Sequence, residues 1–144
     1  MAADDGRTLL LAYVNPLVGR LTRRQMPLGL QLVAAAAQQA GWEVAGRYWG
    51  GELTAAAFRD DLKGSRPALV GFYVDLLNVY TVARLLRQSF SEVRPLTILG
   101  GPEATFNYRR VLEHCPADLL VRGDGEPVLA KLLQGDLQDR KSVV

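Results

Sequence analysis

The chain has 144 residues, the size of one domain, with 49% hydrophobic residues to fill a core and a formal net charge of +2. That charge is too small to point to nucleic acid, and no apolar run reaches the ~18–20 residues of a membrane span. Cys115 is the single cysteine, which excludes an internal disulfide and any cysteine-based zinc or iron–sulfur site built from these residues alone.

The opening Met1-Ala2-Ala3-Asp4-Asp5-Gly6 is acidic where a secretory signal is basic, so the expected location is cytoplasmic. Residues 8–14, "TLLLAYV", form a continuous apolar run and read as a strand buried on both faces. Arg20, Arg23 and Arg24, a little further on, make the one basic cluster. It reads as a solvated loop, with a phosphate or partner contact as the alternative. Residues 27–40 open with Pro27 and close before Gly41, the usual helix asymmetry. "EVAGRYW" (43–49) alternates weakly, as an edge strand does. Thr54 is a candidate N-cap for a helix expected to stop at Gly64.

"ALVGFYV" (68–74) is a second buried strand. In the helix expected over 78–90, Val79, Val82, Ala83, Leu86 and Phe90 share one face. "LTIL" (96–99) is another buried strand, followed by a helix over 105–114 with Thr105 as candidate N-cap. "DLLV" (118–121) is a last short strand. A final helix over 126–134 presents Val128, Leu129, Leu132 and Leu133 on its apolar side. Strict strand–helix alternation implies one α/β domain: a five-stranded parallel sheet between two helix layers, Rossmann-like. The amphipathic second strand belongs at an edge, which fits the flavodoxin-like order 2-1-3-4-5.

Ligands of such sheets bind beyond the carboxyl ends of the strands. That edge receives Asn15, Pro16, Leu17 and Val18 from the first strand and Asp75, Leu76, Leu77 and Asn78 from the third. The fourth delivers Gly100, Gly101, Pro102, Glu103, Ala104 and Thr105. The fifth delivers Arg122, Gly123, Asp124, Gly125 and Glu126. Glycine pairs at two neighbouring strand ends either make turns or let a bulky ligand approach the backbone. Leu76 and Leu77 either begin the core face of the next helix or present an apolar surface to a ligand or partner.

Other chemistries lack their residues. No Gly-x-Gly-x-x-Gly follows the first strand, no Gly-x-x-x-x-Gly-Lys-Ser/Thr occurs, and Asn15 stands where a phosphoacceptor aspartate would. His114 and Cys115 read as a helix-end histidine and a packed thiol rather than a catalytic pair.

"VNP", "PLGLQLVAAAAQQAGWEV", "ALVGFYV", "ILGGPEAT" and "VRGDGEPVLAKLL" occur in that order. Over roughly residues 8 to 134 the chain resembles the N-terminal cobalamin-binding domain of cobalamin-dependent radical S-adenosylmethionine enzymes. The resemblance implies a cobalamin-binding module, not catalytic alone, with cobalamin held base-off. It implies a nucleotide tail lined by Gly100 to Thr105. It sets Asn15 to Val18 and Asp75 to Asn78 below the ring, with Arg122 to Glu126 closing the far edge.

Cobalamin domains of mutases carry Asp-x-His-x-x-Gly after the first strand. Here that segment is Asn15-Pro16-Leu17-Val18-Gly19-Arg20, so no histidine ligand to cobalt is expected. A cluster-binding C-x-x-x-C-x-x-C is also missing. The expectation is therefore an excised domain, a stand-alone binding protein, or a subunit whose radical S-adenosylmethionine partner holds the cluster. An interaction scaffold that keeps the fold without ligand, or a flavin- or nucleotide-binding domain, are the alternatives. The substitution Gly101→Trp is expected to block the ligand and leave the fold intact.

Overall fold

The structure, a computed structural model, describes residues 6–16, 25–51, 53–89 and 95–134. Leu17, Val18, the Arg20–Arg24 cluster and Phe90 lie outside the described residues.

The elements alternate as expected: β1 (Thr8–Asn15), α1 (Leu28–Gln39), β2 (Glu43–Gly50), α2 (Ala55–Ser65), β3 (Leu69–Tyr73), α3 (Val79–Gln88) and β4 (Leu96–Gly100). Then come α4 (Pro102–Phe106), α5 (Tyr108–His114), β5 (Leu119–Leu120) and α6 (Gly125–Leu133). All strand pairs are parallel, in the order β2-β1-β3-β4-β5, so the predicted topology is the observed one. Weakly patterned β2 is indeed an edge strand.

Alternate side chains of each strand enter two separate cores. Leu10, Ala12, Val14, Val70, Phe72 and Leu99 pack under α2, α3, α4 and α5. Leu9, Leu11, Leu69, Ile98 and Leu119 pack under α1 and α6. This is why β1 and β3 read as unbroken apolar runs: a central strand is covered on both faces. Trp42 and Trp49 close the β2 edge. The Trp42 indole donates to the Leu133 carbonyl (3.2 Å), and the Trp49 indole donates to Asp61 Oδ2 (3.0 Å).

Local departures have local causes. Thr54 caps α2 as expected, its Oγ1 accepting from the Ala57 amide at 3.1 Å. The helix runs past Gly64 to Ser65, and Arg66 takes the left-handed conformation (φ 43°) that ends it. The helix expected over 105–114 is two helices. Gly101 (φ 102°) turns the chain and Pro102 starts α4 at once, because its fixed φ and missing N–H suit a first helical turn. Asn107, at φ −121° and ψ 36°, breaks the run while its side chain donates to Glu103 (3.1 Å). Thr105 is therefore inside α4, not an N-cap.

Candidate functional site

On the sheet face under α1 and α6, residue size falls from β2 toward β4. Tyr48 pairs with Tyr13, and Tyr73 pairs with Gly100; one row deeper, Leu11 pairs with Gly71 and Gly71 with Ile98. Three rings thus stand in a row that ends at a residue with no side chain. An apolar cleft of about 370 Å³ opens there. Leu9, Leu11, Gly71, Ile98 and Gly100 form its floor. Gly29, Leu30 and Val33 of α1 form one wall, and Gly125, Glu126 and Leu129 of α6 the other. Pro102, Thr105 and Phe106 of α4 stand at the carboxyl end.

The glycines do different work. Gly100 faces open space: a Cβ there would meet nothing within 4 Å, so a side chain would occupy the cleft. Gly71 is required by a neighbour, since a Cβ would come within 2.9 Å of Leu11 Cδ2. Gly101 is required by the backbone. Its φ of 102° disfavours any side chain, and a Cβ would lie 2.8 Å from the Val74 carbonyl oxygen. The expectation that Gly101→Trp spares the fold is corrected accordingly: Gly101 is built into the junction of β3 and β4. Gly123 (φ 77°) makes the corresponding turn after β5.

Thr105 joins the two glycine turns. Its Oγ1 donates to the Gly101 carbonyl and accepts from the Gly123 amide, both at 2.9 Å. A threonine inside a helix commonly bonds back to the carbonyl four residues earlier. Here the remaining lone pair reaches across to the next strand end.

Asn78 organises the adjoining edge. It is fully buried, and its amide donates to the carbonyls of Val14 (3.0 Å) and Tyr73 (2.8 Å) while its Oδ1 accepts from the Asp75 amide (2.9 Å). Asp75 answers by accepting from the amides of Leu77 and Asn78 and from the Tyr13 hydroxyl, at 2.9 to 3.0 Å. Burial first, then the bond to Asp75, pushes the Tyr13 phenol far above its ordinary pKa. With Asp75 and Asn78 folded into this turn, Leu76 and Leu77 stand out from it, 75% and 52% exposed. They are not part of the α3 core face.

Of the residues assigned to the edge by sequence, Gly100, Gly101, Pro102, Thr105, Gly123, Asp124, Gly125 and Glu126 line the cleft. Glu103, Ala104 and Arg122 do not, and Asn15, Pro16 and Asp75 to Asn78 lie outside its lining as well. Ala104 is buried on the opposite face, Glu103 bonds Asn107, and Arg122 stacks on the Tyr108 ring with its guanidinium carbon 4.0 Å from the centroid. Asn15 donates to the Tyr48 hydroxyl at 3.0 Å, beside Pro16 at the end of β1. The sequence reading missed Gly29, Gly71, Tyr73 and Phe106. A lone glycine inside the strand "LVGFY" was a usable signal, because it marks a close approach.

His114 and Cys115 are apart from the site. His114 ends α5, exposed, and its carbonyl accepts from Arg87 (3.1 Å). Cys115 is 1% exposed, and burial pushes its thiol up to about 11. No group of three or more His, Cys, Asp or Glu is arranged to hold a metal among the described residues. No helix among them is long and apolar enough to cross a membrane.

A doubly wound sheet whose carboxyl edge opens into a glycine-floored apolar cleft defines an α/β small-molecule-binding domain. The B12 binding domain family matches residues 14–133, and the chain belongs to that family. It is similar to two proteins described as anaerobic magnesium-protoporphyrin IX monomethyl ester cyclase. It is 35% identical to the one from Cereibacter sphaeroides over 77 residues, which are 52% of this chain and 13% of that protein. It is 35% identical to the one from Rubrivivax gelatinosus over 92 residues, 62% of this chain and 16% of that protein. The fold is shared with the radical S-adenosylmethionine methyltransferase TsrM from Kitasatospora setae, solved with tryptophan and a SAM analogue. The TM-score is 0.67 and the identity 21%, over 93% of this chain and 26% of that one. The chain thus spans about a quarter or less of each of these three proteins.

Proposed function

We propose that this domain binds cobalamin by taking the nucleotide tail, detached from cobalt, into the cleft between α1 and α6. The observation that carries this reading is Gly100. It lies in the cleft with open space where a side chain would be, and the surrounding lining is mostly aliphatic, aromatic or glycine. A flat apolar base fits such walls, and the polar side chains of the lining are few: Tyr73, Thr105, Asp124 and Glu126. Asn15, Pro16 and the Asp75–Asn78 turn stand at the neighbouring strand ends, where a ring above the tail would rest. The exposed Leu76 and Leu77 supply an apolar surface for it. His114, the single histidine, sits at the far end of α5, which supports cobalt without a protein histidine ligand.

When bound, cobalamin supplies a cobalt centre able to carry a methyl or alkyl group. The chain's own part is to orient the corrinoid and shelter its tail. A radical S-adenosylmethionine domain or subunit is the fitting partner for the exposed ring face, since the proteins this chain matches extend well beyond the shared segment. The test is direct. Purified protein mixed with hydroxocobalamin should carry corrin absorbance through gel filtration, with the spectrum of the tail-detached form. Corrin-free protein at saturating hydroxocobalamin refutes the reading.

A further inference from the structure

Three tyrosines stand near the carboxyl edge on the cleft face. Two have their hydroxyls engaged within the protein: Tyr13 donates to Asp75 (2.9 Å), and Tyr48 accepts from Asn15 (3.0 Å). The third, Tyr73, is the one that lines the cleft, and its hydroxyl has no hydrogen-bond partner among the described residues. The ring itself is held in place. It meets Tyr13 edge to face at 5.7 Å, and it lies so close to the backbone that Cβ atoms on Gly29 and Gly101 would approach it to 3.7 and 3.3 Å. A ring already fixed loses little rotamer freedom when a ligand arrives.

The other polar side chains of the cleft are unsuited to donate. The Thr105 hydroxyl already donates to Gly101 and accepts from Gly123. Asp124 and Glu126 are carboxylates, acceptors when ionised. Tyr73 is held above its ordinary pKa, by burial first and Asp75 second, and so keeps its proton at neutral pH. A ligand filling this cleft removes water from the hydroxyl, and a phenol left dry and unpaired opposes binding. The ligand that belongs here therefore brings an acceptor to meet it.

Resting on the corrinoid reading above, we infer that the Tyr73 hydroxyl donates a hydrogen bond to an acceptor oxygen of the corrinoid's nucleotide tail, which makes Tyr73 a ligand-binding residue. Tyr73→Phe removes the oxygen and keeps the ring, so the packing against Tyr13 survives. Wild type and variant are titrated with cobalamin and with cobinamide, a corrinoid that lacks the nucleotide tail. The variant should bind cobalamin roughly 3- to 10-fold more weakly, bind cobinamide as wild type does, and melt at the wild-type temperature. Unchanged cobalamin affinity in the variant overturns the inference while leaving the corrinoid reading standing. Equal weakening toward both corrinoids also overturns it. Failure of wild type to bind either corrinoid overturns both.

Discussion

The Gly123 amide donates to Thr105 Oγ1 at 2.9 Å, and through that oxygen the turn after β5 is tied to the Gly101 turn after β4. The two turns border one cleft, and this hydroxyl bridges them beyond the last backbone bond between the strands, Val121 N–H to the Leu99 carbonyl at 2.8 Å. Thr105→Val keeps the shape and removes both bonds. It should lower stability by about 1–2 kcal/mol and weaken corrinoid binding, while Thr105→Ser retains most of each. Denaturant melts and a hydroxocobalamin titration of the three proteins check this.

Neighbouring glycines should separate space from strain. At Gly100 a Cβ meets no atom within 4 Å and needs no left-handed backbone, so in Gly100→Leu the longer side chain can extend into the cleft, and the folded protein should melt near wild type yet lose corrinoid binding. Gly101→Ala should do the reverse first: its φ of 102° and the Val74 carbonyl at 2.8 Å predict a loss of about 1–3 kcal/mol before any ligand is added. A Gly100→Leu protein that binds cobalamin normally would contradict the position assigned to the tail.

Asn78 is a structural pin rather than an exposed contact. Asn78→Leu would leave the Asp75 amide and the Val14 and Tyr73 carbonyls without their partner. The expected cost is about 3 kcal/mol, read as a lower denaturant midpoint at unchanged slope. Leu76→Ala and Leu77→Ala, at exposed positions of the same turn, should leave the midpoint where it is.

Cys115 gives a pH signature. Its folded-state pKa, about 11, lies above the ordinary 9.0, so the thiol favours the native state fully below about pH 9. As pH rises from there, the unfolded chain releases the proton first, and the contribution is lost by about pH 11. The stability difference between wild type and Cys115→Val should therefore narrow between pH 8 and pH 10.5. At pH 8 the folded wild type should resist thiol alkylation. A constant difference across that range would show that the thiol is not buried as described.

The strands and their order were legible because a central strand covered on both faces must be apolar at every position. "TLLLAYV" and "ALVGFYV" carry that mark, while "EVAGRYW" carries the mark of an edge. The carboxyl end of the site was legible for a similar reason: parallel α/β sheets bring ligands to the carboxyl ends, and the glycine-rich turns after β4 and β5 sit there. The break at Asn107 was not legible. Residues 105–114 have no proline or glycine, and the start at Pro102 depends on a positive φ at Gly101. The cleft floor was not legible either, because which side chains share a face across strands depends on register, and register is a long-range property.

By itself, then, the sequence determined a doubly wound five-stranded domain and the edge at which its ligand belongs, since periodicity and glycine placement act locally. Only the tertiary structure decided which glycine leaves room and which merely permits a turn. It also decided that Asn78 is interior and that Tyr73 stands in the cleft wall. Each of those depends on atoms from strands and helices far apart in the chain, which meet only when the sheet is assembled and both helix layers close over it.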